Sequence, residues 1–218
     1  MVSALDAAQA RAWVDGFIAA IEERHGELGD LDRRSGDGDF GSNLRSAARR
    51  MTANLAGAPA TAGGPFAAVS EAFMATGGTS GPLLGMWFRA LAKAGADRDA
   101  IALPDLATAV ADGVAAIQRL GGAQVGDKTM LDAFVPASDA LAARAAGGDV
   151  GAALAAAAEA AAAGADATAD LAARRGRASY VGDAARGVPD PGATAVAMLF
   201  DCGARAAGAP PTSKETNA

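Results

Sequence analysis

Residues 31–43 read Leu-Asp-Arg-Arg-Ser-Gly-Asp-Gly-Asp-Phe-Gly-Ser-Asn and place three carboxylates, Asp32, Asp37 and Asp39, within eight positions. Glycines flank the last two. Carboxylates this close repel one another when ionised, and a run of glycines forfeits helix stability. A packed helical protein has little structural reason to combine both costs, whereas a hard cation supplies one. Magnesium takes carboxylate oxygens, keeps part of its shell for water or phosphate, and cancels the repulsion. The stretch is a candidate magnesium–phosphate site.

Three further loops are richer in glycine and polar residues than connections between alanine-rich helices require: 77–82 (GGTSGP), 126–130 (GDKTM), and 176–180 (GRASY) running on to Asp190-Pro191-Gly192. The segments between them carry helical periodicity. Over 3–28, Trp13, Phe17 and Ile21 recur at i, i+4 and i+8, with Ser3 and Asp6 in capping-box spacing at its start. Further helices are expected at 41–55, 65–75 and 83–94, from Pro104 through Ile117, and at 130–145, 150–174 and 193–206. No alternating strands and no βαβ rhythm appear. The expected fold is all-α: one domain over 1–207, about eight helices, and a frayed tail at 208–218. Up-and-down helices place alternate loops at one end, where the four polar loops converge on one ligand.

Composition narrows the function. A net charge of −6 argues against nucleic acid or an anionic membrane surface as partner, so an anionic ligand needs a local site. The single cysteine, Cys202, excludes an internal disulfide and fits a reducing compartment. Residues 1–28 carry Asp6, Glu22 and Glu23 among the apolar positions and read as neither a signal peptide nor a membrane span, so a cytoplasmic protein is expected. Three motif matches fail. Asp39-Phe40-Gly41 lacks the other parts of a protein kinase, and the 121–129 stretch has Asp127 where a P-loop needs glycine before lysine. An EF-hand from Asp37 would need glutamate where Ala48 stands. The one histidine, His25, is read as a surface residue at a helix end, Trp87 and Phe88 as core, and Cys202 as a buried small hydrophobe. Lys128 and Asp132 are within reach of the site but read equally well as solvated or helix-start residues.

Together, LDRRSGDGDFGSN, GGTSGPLLG, GDKTMLDAFVPA, GRASYVGDAARG and PDPGATA, in this order and over nearly the whole chain to about residue 206, resemble the nucleotide-binding L subunit of dihydroxyacetone kinases. The resemblance implies an eight-helix antiparallel barrel with Mg-nucleotide (ADP or ATP) at one end. It implies that Asp32, Asp37 and Asp39 ligate two Mg²⁺ ions, that the turn at Phe40, Gly41, Ser42 and Asn43 faces phosphate, and that Thr79 and Ser80 form a second phosphate contact. Arg177 is implied as a cationic contact with a share in catalysis beside the three aspartates. Gly121, Met130, Asp190, Pro191 and Gly192 are implied around the adenosine part.

A further implication concerns partners: the short ketose, dihydroxyacetone, sits on a separate K subunit that holds it through its own histidine, and nothing here resembles such a unit. Phe40 stands where relay-type members carry histidine and ATP-dependent members a small polar residue. Asn43 leans toward the relay type and residues 188–190 toward the ATP type, so a phosphotransferase donor protein and ATP both stay open. Two alternatives accompany this reading: a nucleotide-binding regulator of a partner protein, and the L subunit of a related tetrulose kinase.

Overall fold

The computed structural model describes residues 3–175 and 185–209. Among them are a two-stranded ribbon, β1 (Ala4–Asp6) and β2 (Ala100–Ala102), and eight α-helices. The helices are α1 (Ala7–Ser35), α2 (Phe40–Leu55), α3 (Gly64–Met74), α4 (Ser80–Ala94), α5 (Leu103–Gly121), α6 (Leu131–Ala142), α7 (Val150–Ala167) and α8 (Pro191–Ala206). The chain is all-α, as its periodicity implies. The ribbon is too short to leave a pattern in the sequence: Leu5 pairs with Ile101 in antiparallel register and both are fully buried.

That pairing moves the start of α1. Residues 4–6 are drawn into the ribbon, so the capping box belongs to Asp6 and Gln9 rather than to Ser3 and Asp6. Asp6 Oδ1 accepts from Gln9 N (2.8 Å) and Gln9 Oε1 accepts from Asp6 N (3.0 Å). α1 also runs seven residues beyond the expected end at Leu28. Gly29 stays helical because α2 presses against it: a Cβ at Gly41 would fall on the His25 carbonyl oxygen and lie 2.8 Å from Gly29 N. His25 is therefore inside α1, not at its C-terminus. Asp32 belongs to the last turn of a helix instead of a loop.

Each helix packs on the next, from α1 on α2 through α7 on α8, and α8 returns to α1, so the contacts close into a ring. Rings of Trp13, Phe17, Phe66, Phe73, Trp87, Phe88, Phe134 and Phe200 meet inside it, with centroid separations of 5.0–6.4 Å. Trp87 and Phe88 are core, as read from the sequence. Trp13 Nε1 donates to the Leu199 carbonyl at 2.7 Å, whereas Trp87 Nε1 is buried without an acceptor. The segment Val150–Asp170 is long and apolar enough to cross a membrane by composition, yet half of it is buried, with α7 between α6 and α8. Cys202 is half-buried against the core rather than fully enclosed.

Candidate functional site

The three aspartates come together although they arise differently. Asp32 hangs from the last turn of α1, buried, and its Oδ2 accepts the Phe40 N–H at 3.0 Å. Asp37 lies in the short turn between α1 and α2, and Asp39 is the residue before α2. One carboxylate oxygen of each lies within 4.8 Å of the others, the one such acidic cluster among the described residues. Two local features make the convergence possible. A Cβ at Gly36 would lie 3.4 Å from Asp32 Cγ and overlap its Oδ1, and Gly38 takes the left-handed conformation at φ +83° that brings the chain round to Asp39. Asp39 makes no side-chain cap to α2, so its carboxylate stays with the cluster. Three oxygens this close, with an exposed Asp37 at the mouth, suit a hard divalent cation that keeps water or ligand oxygens in its remaining positions.

The cluster opens onto a cleft at the end of the ring where α1, α3 and α5 finish and α2, α4, α6 and α8 begin. Of the residues singled out by sequence, Asp32, Asp37, Asp39, Phe40 and Asn43 line one wall, and Thr79 and Ser80 the next. Gly121, Met130, Asp190, Pro191 and Gly192 line the far side. Gly41 and Ser42 do not line it: Gly41 is turned against α1, and Ser42, whose Oγ donates to the Asp39 carbonyl at 2.8 Å, borders a separate groove on the outer face. Arg177, and with it most of 176–187, lies outside the described residues, as do residues 210–218 of the expected tail. The Phe40 side chain is buried in the apolar core and forms part of the cleft floor. Thr79 precedes α4 without capping it, which leaves first-turn N–H groups of α4 at the cleft, while the Phe40 N–H of α2 is taken by Asp32.

The far side is electrostatically tight. Asp190 caps α8, accepting from Ala193 N at 2.7 Å, and its own N–H goes to Thr168 Oγ1 at 2.7 Å. Burial pushes the Asp190 carboxyl up to about 7, against the bond from Ala193 and the nearby Lys128 charge; Asp132 and Asp32 push the same way as burial. Lys128 is buried, and burial holds its ammonium below the ordinary lysine range despite Asp190 and Asp170. Its Nζ donates to the carbonyls of Thr168 (2.5 Å) and Val188 (2.7 Å). Asp132 is neither solvated nor in the cleft: buried at the start of α6, it accepts from Gly126 N (2.5 Å) and Thr129 N (2.7 Å) and shapes the 126–130 loop. Arg175, which the sequence reading passed over, lines the cleft mouth 3.8 Å from Asp127. Its only sequence signal was its place beside a polar loop.

Comparison with known proteins gives the family of the chain. The DAK2 domain model matches residues 34–204. L-erythrulose 1-kinase of Mycolicibacterium smegmatis is 41% identical over 87% of this chain, which spans 34% of that protein. The ADP-binding subunit DhaL of the PEP-dependent dihydroxyacetone kinase of Escherichia coli is 35% identical over 88% of this chain and 92% of the subunit. Among solved structures, the dihydroxyacetone kinase from C. freundii in complex with AMP-PNP and Mg²⁺ superposes with a TM-score of 0.65 and 31% identity, over 90% of this chain and 33% of that one. The chain thus spans about a third of the longer kinases and nearly all of the DhaL subunit, and it belongs to the DAK2 domain family.

Proposed function

We propose that this chain is the nucleotide-binding, phosphoryl-transfer subunit of a dihydroxyacetone kinase, taking Mg-ADP or Mg-ATP in the cleft. The observation that carries the reading is the meeting of three carboxylates with the start of α2 and the uncapped start of α4 at one cleft mouth. Asp32, Asp37 and Asp39 would hold the metal, two ions in all. Bound magnesium would offset carboxylate and phosphate charge and hold phosphate oxygens in place. Thr79, Ser80 and the open first turn of α4 donate to phosphate oxygens, and the 40–43 turn, whose Phe40 N–H is held by Asp32, borders the phosphates. Met130, Gly121 and Asp190–Gly192 form the adenosine side, where Gly192 leaves room for Met130: a Cβ there would stand 3.4 Å from Met130 Cβ. The cleft-lining Arg175 supplies positive charge at the mouth, and Arg177 keeps its proposed role as a cationic contact to the nucleotide. Phosphoryl transfer asks little covalent chemistry of a protein, and these groups act by positioning and electrostatics.

The acceptor in this reading is a short ketose carried on a separate K subunit in the cytoplasm, as the similarity to the DhaL subunit suggests. The higher identity to an erythrulose kinase than to the DhaL subunit, 41% against 35%, favours as a second reading a four-carbon ketose as acceptor. Nucleotide release tests the first step. ADP that leaves the purified protein in stoichiometric amount only on chelation or denaturation supports a resident cofactor recharged by a phosphotransferase protein, and reversible Mg-ATP binding supports direct use of ATP. Absence of binding to either nucleotide refutes the proposal. Mixing the protein with a K subunit and either ketose then identifies the acceptor.

A further inference from the structure

Lys128 stands apart from every other residue of the cleft. It is the one non-glycine residue with positive φ among the described residues, at +61°. Lysine has no intrinsic preference for that conformation, and a non-glycine residue persists there only where its surroundings demand it. Its side chain is 1% exposed, which is rare for lysine without partners, and its partners here are main-chain carbonyls from two distant segments. Thr168 O lies just past the C-terminus of α7, an end that favours a cation, and Val188 O lies two residues before Asp190. Thr168 also accepts the Asp190 N–H through Oγ1. A chain of contacts therefore runs from the Lys128 ammonium through Thr168 to the first residue of the α8 cap. Met130, two residues after Lys128, meets Gly192, two residues after Asp190, on the far side of the cleft.

We infer that Lys128 is the positioning residue for the adenosine side of the cleft: its ammonium ties the loop that carries Met130 to the start of α8 and so sets the width of that wall. The inference rests on the reading that the cleft takes Mg-nucleotide. With left-handed backbone at 128 the side chain is buried, and the ammonium joins the Leu171 N–H on the Thr168 carbonyl where α7 ends and also donates to the Val188 carbonyl before α8 begins. The acidic cluster is built from α1 and α2 alone and does not depend on this tie.

Calorimetric titration of the full chain with Mg-ADP and with Mg-pyrophosphate separates the two ends of the cleft, because pyrophosphate reaches only the phosphate side. In K128M the affinity for ADP is expected to fall by about tenfold or more, with that for pyrophosphate within about twofold of wild type, since misplacing a binding wall harms only the ligand that touches it. K128Q, which restores donors without the charge, should recover part of the ADP affinity, and it takes the place of K128M in the same comparison if K128M does not fold. Unchanged ADP affinity in the folded variant overturns the inference. So does an equal loss for both probes, which would make Lys128 a phosphate contact or a general support of the fold. Wild-type protein that binds neither probe defeats the nucleotide reading itself, and this inference with it.

Discussion

Replacing Asp37 by Asn tests the acidic cluster with two readouts that should diverge. With one oxygen from each carboxylate within 4.8 Å of the others, Coulomb's law under full water screening gives about 0.9 kcal/mol of repulsion for each ionised pair at that distance. Asp37 is exposed, so water screening is the appropriate limit, and it takes part in two such pairs. Asn keeps a carbonyl oxygen of the same shape and removes the charge. The metal-free variant should therefore retain its helix content and melt at or above the parent by up to roughly 3–7 °C, since two relieved pairs amount to about 1.7 kcal/mol and about 1 kcal/mol corresponds to roughly 2–4 °C in a domain of this size. Ligand-induced stabilisation should behave oppositely. At a nucleotide concentration of about 100 Kd, Mg-ADP stabilises the parent by about 2.7 kcal/mol, or roughly 5–10 °C. A hundredfold weaker variant at the same concentration gains about 0.4 kcal/mol, near 1 °C. Thermal melts with and without Mg-ADP, repeated with chelator, read both quantities. A D37N protein that keeps the full Mg-dependent shift would refute the assignment of the cluster, and one that loses its helices without ligand would make the loop a structural element instead.

Three other outcomes follow from the packing. Trp13→Phe removes a 2.7 Å bond to Leu199 O while Trp87→Phe removes a donor that has no acceptor, so chemical denaturation should show W13F the less stable by about 1 kcal/mol; equal losses would contradict the hydrogen-bond assignment. Gly41→Ala drives a methyl into the backbone of α1 at His25 and Gly29 and should cost about 1–3 kcal/mol by separating the two helices that carry the aspartates, measured by urea unfolding. The Asp190 carboxyl, raised from 3.8 to about 7 by burial, is ionised more readily in the unfolded chain, so its contribution to stability is fully present below pH 4 and is lost as the pH rises to 7. Asn can cap α8 without that charge, so the melting temperature of D190N relative to metal-free wild type should climb over the same interval; a flat difference would show that Asp190 does not titrate there.

The helices and the acidic cluster were legible because each rests on local chemistry: apolar residues at helical spacing, and charges too crowded to be left without a cation. What escaped was set by contacts between distant segments. The expected end of α1 at Leu28 falls seven residues short, since Gly29 is helical and closely approached by Gly41, twelve residues on. The capping box was read one turn early because the ribbon that claims residues 4–6 needs a partner at 100–102. Lys128 was seen as a polar loop residue, but nothing local announces a left-handed backbone or two carbonyl partners 40 and 60 residues away. Gly41 and Ser42 belong to the phosphate turn by sequence, while packing sends one against α1 and the other to the outer groove.

An acidic chain that gathers three carboxylates at a cleft would be expected to repel a nucleotide, and the fold answers this by direction rather than by composition. Because neighbouring helices alternate, α2, α4, α6 and α8 all begin at the cleft. Each start carries a partial positive charge and N–H groups not used within its helix. At α6 and α8 part of that potential is consumed internally, by Thr129 Oγ1 accepting from Leu131 N and by Asp190 accepting from Ala193 N. At α2 the Phe40 N–H is taken by Asp32 of the acidic cluster, whereas no side-chain cap closes the start of α4. The starts of α6 and α8 lie on the adenosine side, and the open start of α4, with Thr79 and Ser80, is left to accept an anion beside the cluster. Asp32 both holds the start of α2 and belongs to the cation cluster, which ties the cation site to the helix that borders the cleft.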